Sequence, residues 1–299
     1  MKIDEIFAKL DDLFAQNAIG QVEPFLLSCL NQAQEEKEFG VYISVGNELI
    51  GFYRSTSQFE KAFAVSEDVL LLLEELQLEE TEHFATTLLN AATAYRAAGR
   101  MEDALRDYTR ALKIYEEKLP PEDYRFAGLY NNISLMLESM NENEKAAVFL
   151  ERAIDIVKKQ EDARMELATS KTNLALIYFK LEKNEEAKAL LEEAIAIFSE
   201  NGENTDAHYS AALAGMGEAY FRMGRLTKAL DYYEQSLQEV EKHFGRNLSY
   251  ALLCGNCATI CQKLGEHKKA ETYAETEKML RSRLELSGKE TEAGQGDGV

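Results

Sequence analysis

The sequence predicts an all-α protein made of antiparallel helix pairs that stack one on the next. Short side chains recur every 41 or 42 residues, the apolar residues between them follow helical spacing, and the 299 residues include only three prolines. Length alone would suggest about two globular domains. Because a stack of repeats grows by addition, one continuous array accounts for the same length.

The repeat is clearest in a column of alanines with successive spacings of 42, 42, 41, 42 and 41 residues: Ala62, Ala104, Ala146, Ala187, Ala229 and Ala270. Seven residues after each alanine lies a second column, small in the middle repeats: Val69, Ala111, Ala153, Ala194, Ser236 and Glu277. Nine residues before each alanine lies a third: Tyr53, Tyr95, Leu137, Tyr178, Tyr220 and Cys261. Columns that share one period predict six repeats over residues 43–285.

Each repeat has the pattern of a helical hairpin. In the second repeat, four residues share one helix face by their i, i+3, i+4, i+7 spacing: Leu88, Ala91, Ala92 and Tyr95. Gly99 then ends this first helix, because glycine tolerates the left-handed conformation. Alanines are expected at the contact between the two helices of a hairpin, since helix axes approach to about 8 Å only where side chains are small.

Several segments resemble the tetratricopeptide repeat, in the long form found in kinesin light chains. They are residues 89–95, 99–104, 110–119, 130–135 and 172–178, and the resemblance extends over about residues 43–284. It implies a right-handed α-solenoid whose concave surface is made by the first helix of each pair. Asn141 and Glu182 occupy turns where the family usually has glycine, so we expect different turn chemistry there.

The two ends of the chain depart from the repeat. Residues 1–42 are predicted to be a degenerate capping pair, with helices over 3–16 and 21–37 and with Gly20 and Leu27 at the two small columns. Residues 286–299 are poor in apolar side chains, which predicts a disordered tail.

A candidate ligand groove follows from the column fourteen residues before each alanine: Glu48, Asn90, Asn132, Asn173, Gly215 and Asn256. An asparagine amide offers both a donor and an acceptor, so it can bind a peptide backbone. The resemblance implies this role for asparagine at the matching position. We therefore predict a peptide-binding groove at Asn90, Asn132, Asn173 and Asn256, with Asn131 beside them. The alternative is that asparagine is a tolerated polar residue on an exposed helix face.

Basic residues recur near the ends of the first helices. They include Arg54, Arg96, Lys180, Arg222 and Lys263. If Arg96, Lys180 and Arg222 point into the groove, they favour an acidic peptide. The alternative is that they are solvated cations stabilising the negative ends of the helix dipoles.

Composition and motifs argue against several classes of partner, cofactor and activity. A net charge of −20 disfavours nucleic acid and anionic membrane surfaces. No cofactor, metal or membrane span is predicted. Cys254, Cys257 and Cys261 share a core face and do not match a zinc site. The uneven cysteine spacing favours a reducing cytoplasm, and no catalytic motif indicates an enzyme.

We therefore predict a non-catalytic, cytoplasmic adaptor that binds a protein or an extended peptide segment. Two alternatives remain open. One is a self-assembling scaffold that forms a homo-oligomer, and the other is a regulatory repeat protein that binds a small ligand.

Overall fold

The computed structural model describes residues 2–16, 18–160, 162–200 and 207–293, and these form fourteen α-helices. In chain order they are α1 (Ile3–Ala15), α2 (Ile19–Glu35), α3 (Phe39–Ser55), α4 (Phe59–Glu75), α5 (Glu82–Ala97), α6 (Met101–Lys118), α7 (Arg125–Ser139), α8 (Asn143–Val157), α9 (Arg164–Lys180), α10 (Asn184–Glu200), α11 (Ala207–Arg222), α12 (Leu226–Phe244), α13 (Leu248–Leu264) and α14 (His267–Ala293). The predicted all-α fold of consecutive helix pairs is confirmed.

The helices divide into two compact units, Met1–Met140 with α1 to α7 and Asn141–Val299 with α8 to α14. In each unit, helices that follow one another in the chain pack together, and α3 also packs on α5, as α9 does on α11. We call the odd-numbered helices from α3 to α13 the first helices of the repeats and the even-numbered ones from α4 to α14 the second helices.

The alanine column lies in the interior of each unit, as predicted. Five of its six alanines have no exposed surface, and Ala270 is 3% exposed. A close approach in the second unit involves Gly217, where an added Cβ would lie 2.7 Å from a carbon of the Tyr233 ring. The small residue is therefore required by the aromatic side chain that packs on it.

The turn inside each repeat has one left-handed residue at the same place: Ser57, Gly99, Asn141, Glu182, Gly224 and Gly265. In five of these six turns the next residue donates its backbone N–H to the carbonyl of the third column, as from Arg100 to Tyr95 (2.8 Å) and from Lys183 to Tyr178 (2.9 Å). The expectation of different chemistry was therefore wrong at Glu182, whereas at Asn141 the Leu137 carbonyl accepts from the Met140 N–H (3.1 Å) and the bonding does differ. Both residues adopt φ of 60°, the left-handed conformation that glycine adopts freely in other turns of the chain.

At the N-terminal pair the predicted register was wrong. Gly20 and Leu27 are exposed, whereas Val22 and Cys29 are buried with exposures of 0% and 3%. Val22 precedes Ala62 by 40 residues, two fewer than the 42 that separate Gly20 from Ala62. The buried face of α2 therefore lies two positions later than predicted.

At the other end of the chain, α14 continues through Ala293, inside the stretch predicted as a tail. Residues 294–299 lie outside the described residues. Among the helices described, none combines the length and apolarity needed to cross a membrane.

Candidate functional site

In the first unit, Asn90 is tied into a polar network between two first helices. Its amide nitrogen donates to the side-chain oxygen of Asn47 (2.7 Å), and the Asn47 nitrogen donates to Thr87 (3.1 Å) and to the carbonyl of Ile43 (2.9 Å). Asn47 was missed by the sequence reasoning because it lies one residue before the asparagine column. The signal that could have found it is Asn131, which occupies the same position in the third repeat.

Asn131 and Asn132 are half-buried on α7 and bond to their own helix. Asn131 donates to the carbonyl of Ala127 (3.0 Å) and Asn132 to that of Gly128 (2.9 Å). An amide carries two N–H groups and one carbonyl oxygen, so Asn132 keeps hydrogen-bonding capacity for a ligand, whereas the Oδ1 atom of Asn131 is buried.

Arg96 lies half-buried at the end of α5, close to Tyr108. Burial raises the pKa of the Tyr108 hydroxyl. The hydrogen bond from this hydroxyl to Thr93 (3.1 Å) and the nearby Arg96 and Arg54 cations partly offset that rise, because each lowers the pKa. The Nε atom of Arg96 is buried and has no hydrogen-bond partner in the described part of the chain. Arg96 is thus partly embedded in the fold and differs from a freely solvated cation.

In the second unit, two predicted amides are left unused by the fold. Asn173 is half-buried on α9 and Asn256 is exposed on α13, and neither amide bonds to another residue within the described ranges. Large apolar side chains are exposed on the same two helices, Leu176 at 36% and Leu252 at 49%. This part of the first-helix surface therefore offers amide groups beside apolar contact area.

A small pocket of about 60 Å³ borders Asn256. Its other lining residues come from α11, α12 and α13: Glu218, Phe221, Tyr233, Thr259 and Ile260. The Tyr233 hydroxyl donates to Glu218 (3.2 Å), and burial together with this carboxylate raises the pKa of Tyr233. The pocket thus combines aromatic surface with one charged group.

The predicted cations of the second unit differ in their surroundings. Arg222 donates through Nε to Glu218 (2.6 Å) and through a terminal nitrogen to the carbonyl of Phe179 (3.2 Å). Lys180 is exposed at the end of α9, and the Lys263 ammonium lies 5.7 Å from the centroid of the Phe221 ring. The Glu218 carboxylate offsets the charge of Arg222, which makes this surface less basic than the sequence suggested.

Asn90, Asn131, Asn132 and Arg96 belong to the first unit, whereas Asn173, Asn256, Lys180 and Arg222 belong to the second. Within the first unit the structure joins Asn90 to Asn47, and within the second it places Asn256 and Glu218, the partner of Arg222, at one pocket. The single amide ladder predicted through both sets stays a prediction.

The cysteine run of α13 occupies core positions, as predicted. Cys254, Cys257 and Cys261 are buried and unpaired, and burial raises the pKa of Cys254 to about 11. Thiols with raised pKa are poor nucleophiles and poor metal ligands. Among the described residues, no three His, Cys, Asp or Glu side chains are grouped so that they could hold a metal ion.

These features define a tetratricopeptide repeat protein, and the chain belongs to that family: its model matches residues 43–117, 125–200 and 208–276. Within the family, the chain is distantly related to kinesin light chain-like proteins. Protein KINESIN LIGHT CHAIN-RELATED 3 of Arabidopsis thaliana is 24% identical over 233 residues, which cover 77% of this chain and 35% of that protein. The chain thus spans about a third of the length of the curated relatives it matches.

Two solved structures show the same fold. BtubC (BKLC) from P. vanneervenii is 21% identical with a TM-score of 0.62, covering 76% of this chain and 92% of its own. The Rap conjugation gene regulator of the plasmid pLS20, in complex with the Phr* peptide, is 13% identical with a TM-score of 0.57, covering 82% and 76%. At these identities the likeness shows the fold alone.

Proposed function

We propose that this chain is a non-catalytic adaptor whose first helices bind an extended peptide or partner segment. The observation that carries the proposal is the pair of unused amides, Asn173 and Asn256, beside the exposed Leu176 and Leu252. Within the first unit, Asn132 keeps part of its amide capacity for a ligand, and Asn90 and Asn131, which the fold already uses in part, contribute less. Tetratricopeptide repeats typically mediate protein or peptide binding, and the Rap regulator structure contains a bound peptide.

The expected affinity is moderate. Each hydrogen bond from an amide adds about 0.5–1.5 kcal/mol, and burying a leucine side chain fully adds about 1.5–3 kcal/mol. Because the cost of association must be subtracted from these gains, amides and leucines have to act together. Arg96, Lys180 and Arg222 add a weak preference for peptides that carry carboxylates, since Glu218 already offsets the charge of Arg222.

The proposed location is a reducing cytoplasm. All four cysteines are buried and unpaired, and disulfides are rare in that compartment.

The test uses peptides selected on the full chain from a random peptide display library. Replacing Asn173 and Asn256 together with alanine removes about 1–3 kcal/mol of hydrogen bonding. Binding of the selected peptides should weaken by about 5- to 150-fold while the thermal melting temperature stays unchanged. Asn31→Ala, an exposed asparagine on α2, serves as the matched control. Equal affinities for the double variant and the wild type would refute the proposal.

A further inference from the structure

A second candidate binding surface lies on the first unit, on the side of the second helices. A cleft of about 600 Å³ separates α4 from α6, and α5 forms its floor through Leu88, Ala91 and Tyr95. Both second helices pack on α5. Leu88 and Ala91 are buried at the base of the cleft, so the apolar surface that the cleft offers comes from the half-buried Tyr95 and from α4.

The α4 wall carries a stripe of carboxylates at intervals of seven residues, Glu60, Glu67 and Glu74. At a rise of about 1.5 Å per residue the stripe is about 21 Å long. All three side chains are exposed, and none forms an ion pair with the described part of the chain. Leu71, which also lines the cleft, is 51% exposed.

The opposite wall carries three arginines, two of which are held by the fold. Arg100 and Arg106 both pair with Asp103 at 2.7 Å, and Arg106 also pairs with the buried Asp107. The third, Arg110, lies over the Phe84 ring at 4.3 Å. The arginine wall is thus positioned largely by its own neighbours, whereas the glutamate wall lacks counter-charges.

Aromatic stacking fixes the end of the cleft where α5 turns into α6. The Phe63 and Tyr95 rings stack with centroids 4.5 Å apart, and the Arg100 guanidinium lies 4.7 Å from the centroid of Tyr95. An arginine over an aromatic face is a favourable, orienting contact. This end of the cleft is therefore preformed.

We propose that the cleft docks an amphipathic helix of a partner protein, with lysine or arginine at seven-residue intervals along one edge and apolar side chains toward Leu71 and Tyr95. The unpaired glutamates are complementary to cations in the partner, and a chain of net charge −20 attracts cationic segments at long range. A carboxylate on the other edge of the partner helix would face Arg110.

The spacing of the glutamates selects a helix over an extended strand. Seven helical residues rise about 10.5 Å, so a helix alongside α4 repeats its charges in step with Glu60, Glu67 and Glu74. In an extended chain the same distance corresponds to about three residues, which places successive charges on opposite faces. About fourteen helical residues match the whole stripe. This proposal does not depend on the first-helix surface.

The test measures fluorescence anisotropy of two labelled, helix-forming peptides of identical composition against the full chain. In the patterned peptide, lysines lie every seven residues along one edge and leucines on the inner face. In the scrambled peptide, the lysines are distributed around the helix. The patterned peptide should bind at least about tenfold more tightly, because exposed ion pairs add up only when they form together.

The decisive variant carries Glu60→Gln, Glu67→Gln and Glu74→Gln. It should bind the patterned peptide about 3- to 150-fold more weakly, the range that three exposed ion pairs allow. Circular dichroism melting should be unchanged, since the three side chains are exposed.

The matched control carries the same change of charge outside the cleft, at the exposed Glu144, Glu185 and Glu271. Its affinity should stay within about twofold of the wild type. Equal losses in both triple variants would mean general attraction to an acidic protein and would overturn the proposal, as would equal binding of the two peptides. A wild-type dimer in sedimentation that the cleft variant abolishes would assign the cleft to a second copy of this chain, which also overturns it.

Discussion

Replacing Glu182 with glycine should stabilise the protein, although it removes a side chain. Glu182 adopts φ of 60° in the turn between α9 and α10. A left-handed conformation costs a residue with a Cβ about 1–2 kcal/mol, and glycine avoids this cost. Glycine also increases the freedom of the unfolded chain by about 0.4–1 kcal/mol. The difference predicts a net gain of about 0.5–1 kcal/mol in the free energy of unfolding.

Urea unfolding followed by circular dichroism measures this gain as a higher midpoint at an unchanged slope. Ala189→Gly is the matched control, because Ala189 is exposed inside α10 and the same new residue should there cost about 1 kcal/mol. A loss of stability in Glu182→Gly comparable to that of the control would refute the argument that turn geometry decides whether glycine raises or lowers the free energy of unfolding.

Three further predictions follow from the packing, hydrogen bonds and burial in the structure. Gly217→Ala should lower the free energy of unfolding by about 1–3 kcal/mol, because the new Cβ atom would clash with the Tyr233 ring. Gly128→Ala, where the new Cβ atom would meet open space, should raise the free energy of unfolding by about 0.5–1 kcal/mol. Urea unfolding of the two variants measures both changes. Hydrogen bonds from Arg125 lower the pKa of Asp123 to about 2, so Asp123→Asn should cost about 1–2 kcal/mol at neutral pH. That difference should disappear as the pH falls from about 4 to about 2, because the wild type loses the same stabilisation on protonation. The α13 thiols, whose pKa values burial raises, should react with a maleimide at pH about 8 only after denaturant is added, and fast labelling of native protein would contradict their burial.

The sequence was sufficient to predict the repeat because its strongest signals are also its packing constraints. The alanine column is conspicuous in the sequence because larger residues there would separate the helices. The first pair was assigned the wrong register because neither Val22 nor Cys29 is an alanine and both precede the next repeat by 40 residues, so their burial does not follow the period of 41 or 42. The turn at Glu182 was misjudged for a related reason: a hydrogen-bonded turn can impose a conformation that the residue itself disfavours.

The candidate site was less predictable, because hydrogen bonds between side chains depend on the rotation of each helix and on side-chain torsions. The column of amides was visible, but the bond from Asn90 to Asn47 joins residues in neighbouring positions of two repeats. The bond from Arg222 to Glu218 changes a predicted cation into half of an ion pair. A sequence column shows which residues recur, and the structure shows which of them the fold already uses.

Photo-crosslinking tests the central claim, that the first helices bind a peptide, most directly. A benzophenone amino acid replaces Leu176 on the first helix α9 or Val148 on the second helix α8, both exposed positions of the second unit. With a library-selected peptide bound, irradiation should crosslink the peptide to position 176 and leave position 148 unlabelled. Crosslinking at position 148 with none at 176 would contradict the account.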